Sequence, residues 1–264
     1  MSDPAPTSAS LPRRLGLLVW GVSCYALFFA CFLYAIAFIG GSALVPKTID
    51  SGEPGALGVA IAVNLLLLSI FAVQHSVMAR PAFKRAWTKI VPDAAERPTY
   101  VLASTLALVL LFAFWQPIGA TVWAVTNPVG TFVLRALYFA GWIMLLYATA
   151  LIDHFDLFGL RQAWFGFRGR AYTHHPFATP GMYAHVRHPL YVSWAIIFWA
   201  TPVMSAGHLL FAAVATAYMV VAVFFEERDL VAHFGDAYRR YQESTPKYLP
   251  RIWRKRAPRV AHAS

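Results

Sequence analysis

The groups that could do chemistry in this 264-residue chain gather at the ends of long apolar runs. Four sets stand out. Asn64, Gln74 and His75 belong to one run, in which Asn64, Leu68, Phe71 and His75 share a helical stripe. Asp153-His154-Phe155-Asp156 closes another run. His174, His175, His185 and His188 fall within fifteen residues of one another. Glu226-Glu227-Arg228-Asp229 ends the last run. Such groups are costly inside a bilayer, about 2.5–3.5 kcal/mol for a charge at a helix centre, so they are functional candidates by default.

Each set also has a plainer reading. Asn64 can make an interhelical hydrogen bond, and Asp156 can pair with Arg161. The histidines lack the usual zinc spacings except between His185 and His188, and no metal site is expected from them. Adjacent helical residues diverge, so Glu226 and Glu227 face different directions. One can face a site while the other faces solvent.

The elements that position these sets are apolar helices. The chain is 59% hydrophobic and 13% charged, against about 25% charged for soluble domains. A helical crossing needs about 20 apolar residues. Runs of suitable character cover Leu15–Ile39, Ala56–Val77, Tyr100–Trp115, Phe132–Ile152, Pro189–Val203 and Leu209–Phe225, the last two joined through Ser205-Ala206-Gly207-His208. The first run is too long for a signal-peptide core. The expectation is an all-α, polytopic membrane protein with about six transmembrane helices, the last two a tight hairpin, and a cytoplasmic C-terminal helix or tail. Residues 1–14 are expected to be a disordered N-terminus and 15–264 a single membrane domain.

The basic residues alternate between loops. They lie at Arg13-Arg14, between Arg80 and Arg97, between Arg161 and Arg187, and from Arg239 onward, while the intervening loops are poor in charge. By the positive-inside rule both termini are cytoplasmic. The net charge of +10 is thus the signature of cytoplasmic loops rather than of nucleic-acid binding. Cys24 and Cys31, the only cysteines, share one run and read as packing residues.

Gly181-Met182-Tyr183-Ala184-His185-Val186-Arg187-His188-Pro189-Leu190-Tyr191 resembles the cofactor segment of the isoprenylcysteine carboxyl methyltransferases and phospholipid methyltransferases. Glu226, Glu227, Phe234, Gly235, Tyr238, Tyr241 and Leu249-Pro250 continue that pattern, over about 75 residues in all. Ser193 departs from it, standing where the family often has Gly. Gln74 to Arg80, Glu96 to Val101 and Leu151 to Gln162 are similar to the nurim-like branch, and within it to the bacterial methanethiol S-methyltransferases.

The resemblance implies S-adenosyl-L-methionine as cofactor and methanethiol as acceptor, giving dimethyl sulfide. Tyr183, His185, Arg187, His188, Pro189, Tyr191, Glu226, Glu227 and Tyr238 are the implied cofactor residues. Arg187 is expected to take the cofactor carboxylate, and Glu226 or Glu227 its ammonium or ribose hydroxyls. A thiol reacts as its thiolate, so His75 or His154 is expected to act as base, with Asp153 as orienting partner. Asn64, Gln74 and Gln162 are expected near the acceptor. The implied partners are a small volatile thiol and membrane lipid, with no nucleic acid and no obligate protein partner, in a bacterial inner membrane. The alternatives are another thiol, a prenylcysteine carboxylate or a lipid amine as acceptor, or a non-catalytic nurim-like protein.

Overall fold

A computed structural model of the chain describes residues 10–250 apart from 174. Among the described residues, five helices are long and apolar enough to cross a membrane: α1 (Leu11–Ile39), α2 (Leu57–Ala79), α4 (Asp93–Phe114), α5 (Pro128–Leu151) and α9 (Ala206–Phe234). Short elements join them: α3 (Pro81–Trp87), strand β1 (Thr121–Ala124), α6 (His154–Leu157), α7 (Leu160–Arg168), a 3-10 turn (Gly181–Ala184), α8 (Pro189–Trp199), strand β2 (Val203–Ser205) and α10 (Asp236–Ser244). Only 22–39% of the most apolar window of each long helix is buried. Their outer faces carry exposed Phe29, Leu66, Phe132, Ile143, Val220 and Phe224. A continuous apolar exterior of this kind suits lipid and not water.

Local chemistry sets the helix ends. Asn127 caps α5 by accepting from the Gly130 amide at 2.6 Å, and Pro128 occupies the first turn. Ser205 caps α9 by accepting from the His208 amide at 2.9 Å. At the other end, α9 runs through Glu226 and Glu227 and stops at Gly235, with φ 58°. Gly159, with φ 88°, starts α7 against Pro98, where an added Cβ would lie 2.7 Å from the Pro98 nitrogen.

Several expectations change. Leu11–Arg14 form the first turn of α1, so they are not disordered; residues 1–9 lie outside the described residues, as do His174 and the basic tail from 251 onward. The fifth apolar run is not a full-length helix. α8 has 11 residues, about 16 Å at 1.5 Å per residue, against a core about 30 Å thick. An extended stretch continues it into β2, which pairs antiparallel with β1. The all-α architecture thus includes one two-stranded ribbon. Carbonyls at the end of α8 are taken by Ala200 N, Thr201 N and His208 Nε2, and beyond it the backbone pairs with the ribbon region, Val125 N donating to Pro202 O at 2.8 Å and Gly207 N to Ile118 O at 3.1 Å.

The ribbon end of the bundle is closed by polar clamps. Asp50 accepts from the Ser205 hydroxyl. Trp115 Nε1 donates to Ile49 O at 3.1 Å. Asn64 is fully buried, and its amide exchanges two 2.8 Å bonds with the backbone of Gln116. These bonds use its donor and acceptor, so Asn64 pins the end of α4 rather than receiving a substrate. Asn64→Ala should lower stability by roughly 1–3 kcal/mol, because the Gln116 peptide groups lose their partner. Thermal unfolding in detergent measures this.

Candidate active site

The opposite end of the bundle holds a cavity of about 470 Å³, within the usual range for small-ligand sites, about 300–1,000 Å³. Its walls come from the end of α5, the loop before the 3-10 turn, the start of α8, the last turns of α9 and α10. Tyr183, Arg187, His188, Pro189, Tyr191, Glu226 and Tyr238 all line it, as does Asp153. The sequence segment from Tyr183 to Tyr191 and the acidic end of α9 therefore meet in space.

The two glutamates divide as helical spacing requires, but neither is left to solvent. Glu226 is on the cavity wall and accepts from the Tyr191 hydroxyl at 2.7 Å. Glu227 lies behind it, 8% exposed, in an ion cluster. Its Oε1 is 2.8 Å from Arg187 Nε and 3.0 Å from His188 Nε2, and its Oε2 is 3.2 Å from Lys247 Nζ. Arg187 Nη1 donates to the carbonyls of Gln242, at 2.9 Å, and Thr245. The Arg187 and His188 amides donate to Pro246 O and Lys247 O. Arg187 is thus committed to Glu227 and to the C-terminal segment, and does not offer an open fork to a ligand carboxylate. Glu227 is the internal counter-ion, not a ligand acceptor. His185 is exposed and outside the cavity wall.

Tyr183 is the unsettled polar group of this wall. Its hydroxyl is buried and has no hydrogen-bond partner among the described residues, a costly state for a phenol. Burial, reinforced by the nearby Glu226 charge, pushes its ionisation above the ordinary tyrosine range. It is therefore a neutral hydroxyl available to a ligand. Phe177, Tyr238 and Tyr241 form an aromatic corner, with ring centroids 5.5–5.8 Å apart.

The expected proton-transfer residues are not assembled as expected. His75 is held between α2 and α4, with Nδ1 3.1 Å from Ser104 Oγ and Nε2 2.9 Å from the Tyr100 hydroxyl. His154 clips α1 to α5, with Nε2 2.9 Å from the Tyr25 hydroxyl and Nδ1 2.9 Å from Thr149 Oγ1. Burial lowers its proton affinity, and the Asp153 charge offsets part of this. Neither ring lines the cavity. Asp153 orients neither of them: it bonds His175 Nε2 at 2.9 Å, with Arg161 Nε at 3.9 Å. Burial works against its charge, but the Asp156 amide, His175 and Arg161 outweigh that and hold its carboxyl below the usual range. Asp156 pairs with Arg161 at 3.4 Å.

Gln74 donates to Met78 Sδ at 3.2 Å, and the side-chain carbonyls of Gln74 and Gln162 are buried without partners among the described residues; neither residue lines the cavity. Two residues that sequence reasoning left unassigned matter here. His175 was visible only as one of a histidine group, and Lys247 only as a loop cation. Their partners lie 22 and 20 positions away, beyond any local periodicity.

Comparison with known proteins decides the family. The chain is 51% identical to methanethiol S-methyltransferase 2 of Bradyrhizobium diazoefficiens, across 92% of its own length and 93% of that protein's. The chain belongs to the methanethiol S-methyltransferase family. The Mycobacterium tuberculosis member is 47% identical over 90% of this chain and 97% of its own. Rat nurim is a more distant relative, 30% identical over 64% of this chain. No protein-family model and no solved structure matches.

Within this family member, the Glu227 cluster should hold the cavity closed. Arg187→Ala removes one partner of a buried pair, 9% and 10% exposed on its two sides, which costs about 3 kcal/mol or more. Amide exchange at residues 245–248 should accelerate more than at the ribbon end, as hydrogen-exchange mass spectrometry can test.

Proposed function

We propose that this chain methylates the sulfur of methanethiol with S-adenosyl-L-methionine, giving dimethyl sulfide and S-adenosylhomocysteine. The observation that carries the reading is the cavity itself, in which a buried unpartnered Tyr183 hydroxyl, the Glu226 carboxylate and an aromatic corner converge. Identity to the methanethiol S-methyltransferases over nine-tenths of the chain supports the choice of acceptor.

These residues fit the donor's chemistry. Glu226 suits an ammonium or ribose hydroxyls, and the Tyr183 hydroxyl gains a partner. Phe177, Tyr191 and Tyr238 offer ring faces to the adenine or to a positive sulfonium. When bound, the donor supplies an electrophilic methyl group. The chain's own part is to fix position, since holding reacting atoms about 3–3.5 Å apart supplies much of the rate. The Arg187–Glu227 cluster fixes the wall behind Glu226. Tyr191 fixes the Glu226 carboxylate.

The membrane setting belongs to the same reading. With both ends cytoplasmic, the cavity faces the cytoplasm, from which a charged donor arrives. Six passages result if α8 with its extended continuation counts as one. A small apolar thiol enters from lipid, in a bacterial inner membrane, and no protein partner is needed.

Membranes carrying the chain, supplied with both substrates, should release dimethyl sulfide into the headspace. Product from a larger thiol or a prenylcysteine, with none from methanethiol, would overturn the acceptor. Tyr183→Phe should weaken donor binding about 5–10-fold, the worth of one hydrogen bond of about 1 kcal/mol. Calorimetry on purified protein reads this directly, and unchanged affinity would remove Tyr183 from the donor site.

A further inference from the structure

The cavity holds a histidine–carboxylate pair that none of the donor contacts uses. His175 and Asp153 both line it, with His175 Nε2 2.9 Å from Asp153 Oδ2. Asp153 Oδ1 also accepts from the Asp156 amide at 3.0 Å, which fixes the carboxylate. Asp153 is the one non-glycine residue with positive φ among the described residues, at 72°. Strain of this kind costs about 1–3 kcal/mol and persists where the surroundings hold it for a purpose. Here it turns the Asp153 carboxylate away from neighbouring His154 and onto His175.

His154 and His188 are tied into the fold, and His185 lies outside the cavity wall. His154 is bonded through both nitrogens, and His188 gives Nε2 to Glu227. In His175, Asp153 accepts from Nε2 and Nδ1 has no hydrogen-bond partner among the described residues; unlike His188, which is 4% exposed behind the wall, its ring is open. Its side chain is 47% exposed, so a proton on the ring can reach water. An imidazole whose second nitrogen is tied to a carboxylate is the arrangement of an oriented general base.

We propose that His175 is the base that ionises the acceptor thiol, with Asp153 as its positioning residue. This rests on the thiol methylation proposed above and deepens it. The step is one proton transfer. The S–H bond breaks, its electron pair stays on sulfur, and the proton binds Nδ1. Asp153 balances the imidazolium so formed. Once the thioether has formed, the proton leaves to water from the exposed ring. Asp153 at 2.9 Å and Arg161, 3.9 Å from the same carboxylate oxygen, are the charges at the ring, and Tyr183, Arg187 and Glu226 share the cavity with it.

His175→Gln keeps a donor for Asp153 and removes the base. Turnover with methanethiol near neutral pH should fall about 100-fold or more, the usual worth of a general base, with donor affinity by calorimetry unchanged. The deficit should shrink as pH rises and for more acidic thiols, where solution thiolate replaces the base. A second reading is independent of turnover. Methanethiol added to the wild-type complex with S-adenosylhomocysteine should give the ultraviolet band of a thiolate, and His175→Gln should abolish it. Asp153→Asn should give an intermediate loss in both. Wild-type turnover, pH profile and thiolate band in His175→Gln would overturn the base assignment. Failure of the wild-type chain to methylate any thiol would instead overturn the proposed function.

Discussion

The ion cluster around Glu227 is the interaction on which the site depends. One carboxylate, 8% exposed, meets an arginine, a histidine and a lysine. Removing an ion from water costs several kcal/mol, and only close, well-bonded partners return it. The arginine and histidine come from the start of α8 and the lysine from the segment after α10, while Glu227 is on α9. The cluster therefore joins three pieces of chain at one point. The free nitrogen of Arg187 extends the same point to the Gln242 and Thr245 carbonyls. The knot works together with neutral ties between the same pieces, the Tyr191 hydroxyl to Glu226 and the Tyr241 hydroxyl to the Tyr183 carbonyl.

The two ends of the bundle solve different problems. At the ribbon end, polar groups are paired with backbone: Asn64 with Gln116, Trp115 with Ile49, and β1 with β2. Such bonds are rigid and leave nothing for a ligand. At the cavity end, among the described residues, a buried Tyr183 hydroxyl is unpaired, Asp153 is strained, and His175 Nδ1 is without a partner. The ribbon end is thus closed by its own bonds, while the cavity end keeps polar groups unspent. The ribbon end also lets α8 be short. A break in the helix after Trp199 would orphan peptide groups in an apolar setting, and Ala200 N, Thr201 N and His208 Nε2 take up the carbonyls of Ile196, Trp199 and Phe198 before the chain enters β2.

Much of this was legible in the chain itself. Long apolar runs dictate helices, because the bilayer core admits few other structures, and all five long helices fall on such runs. The confinement of charge to a few loops marks where polar chemistry collects. Helical spacing alone sends Glu226 and Glu227 in different directions, and they part company as it requires. The order of motifs from Tyr183 to Tyr241 points to the family.

Partnership was not legible. A residue's type says that it needs a partner, but which one depends on where packing aims the side chain. Arg187 suits a ligand carboxylate equally well on paper; only the approach of α9 and the C-terminal segment gives it to Glu227 and two carbonyls. Asp153 stands next to His154 in sequence, yet the left-handed backbone at Asp153 breaks the helical phase and delivers its carboxylate to His175, 22 positions on. The run lengths and charge pattern marked the ends of the helices where polar groups collect. The crossing of distant segments, which no local period encodes, decided which of its polar groups are spent on structure and which remain for chemistry.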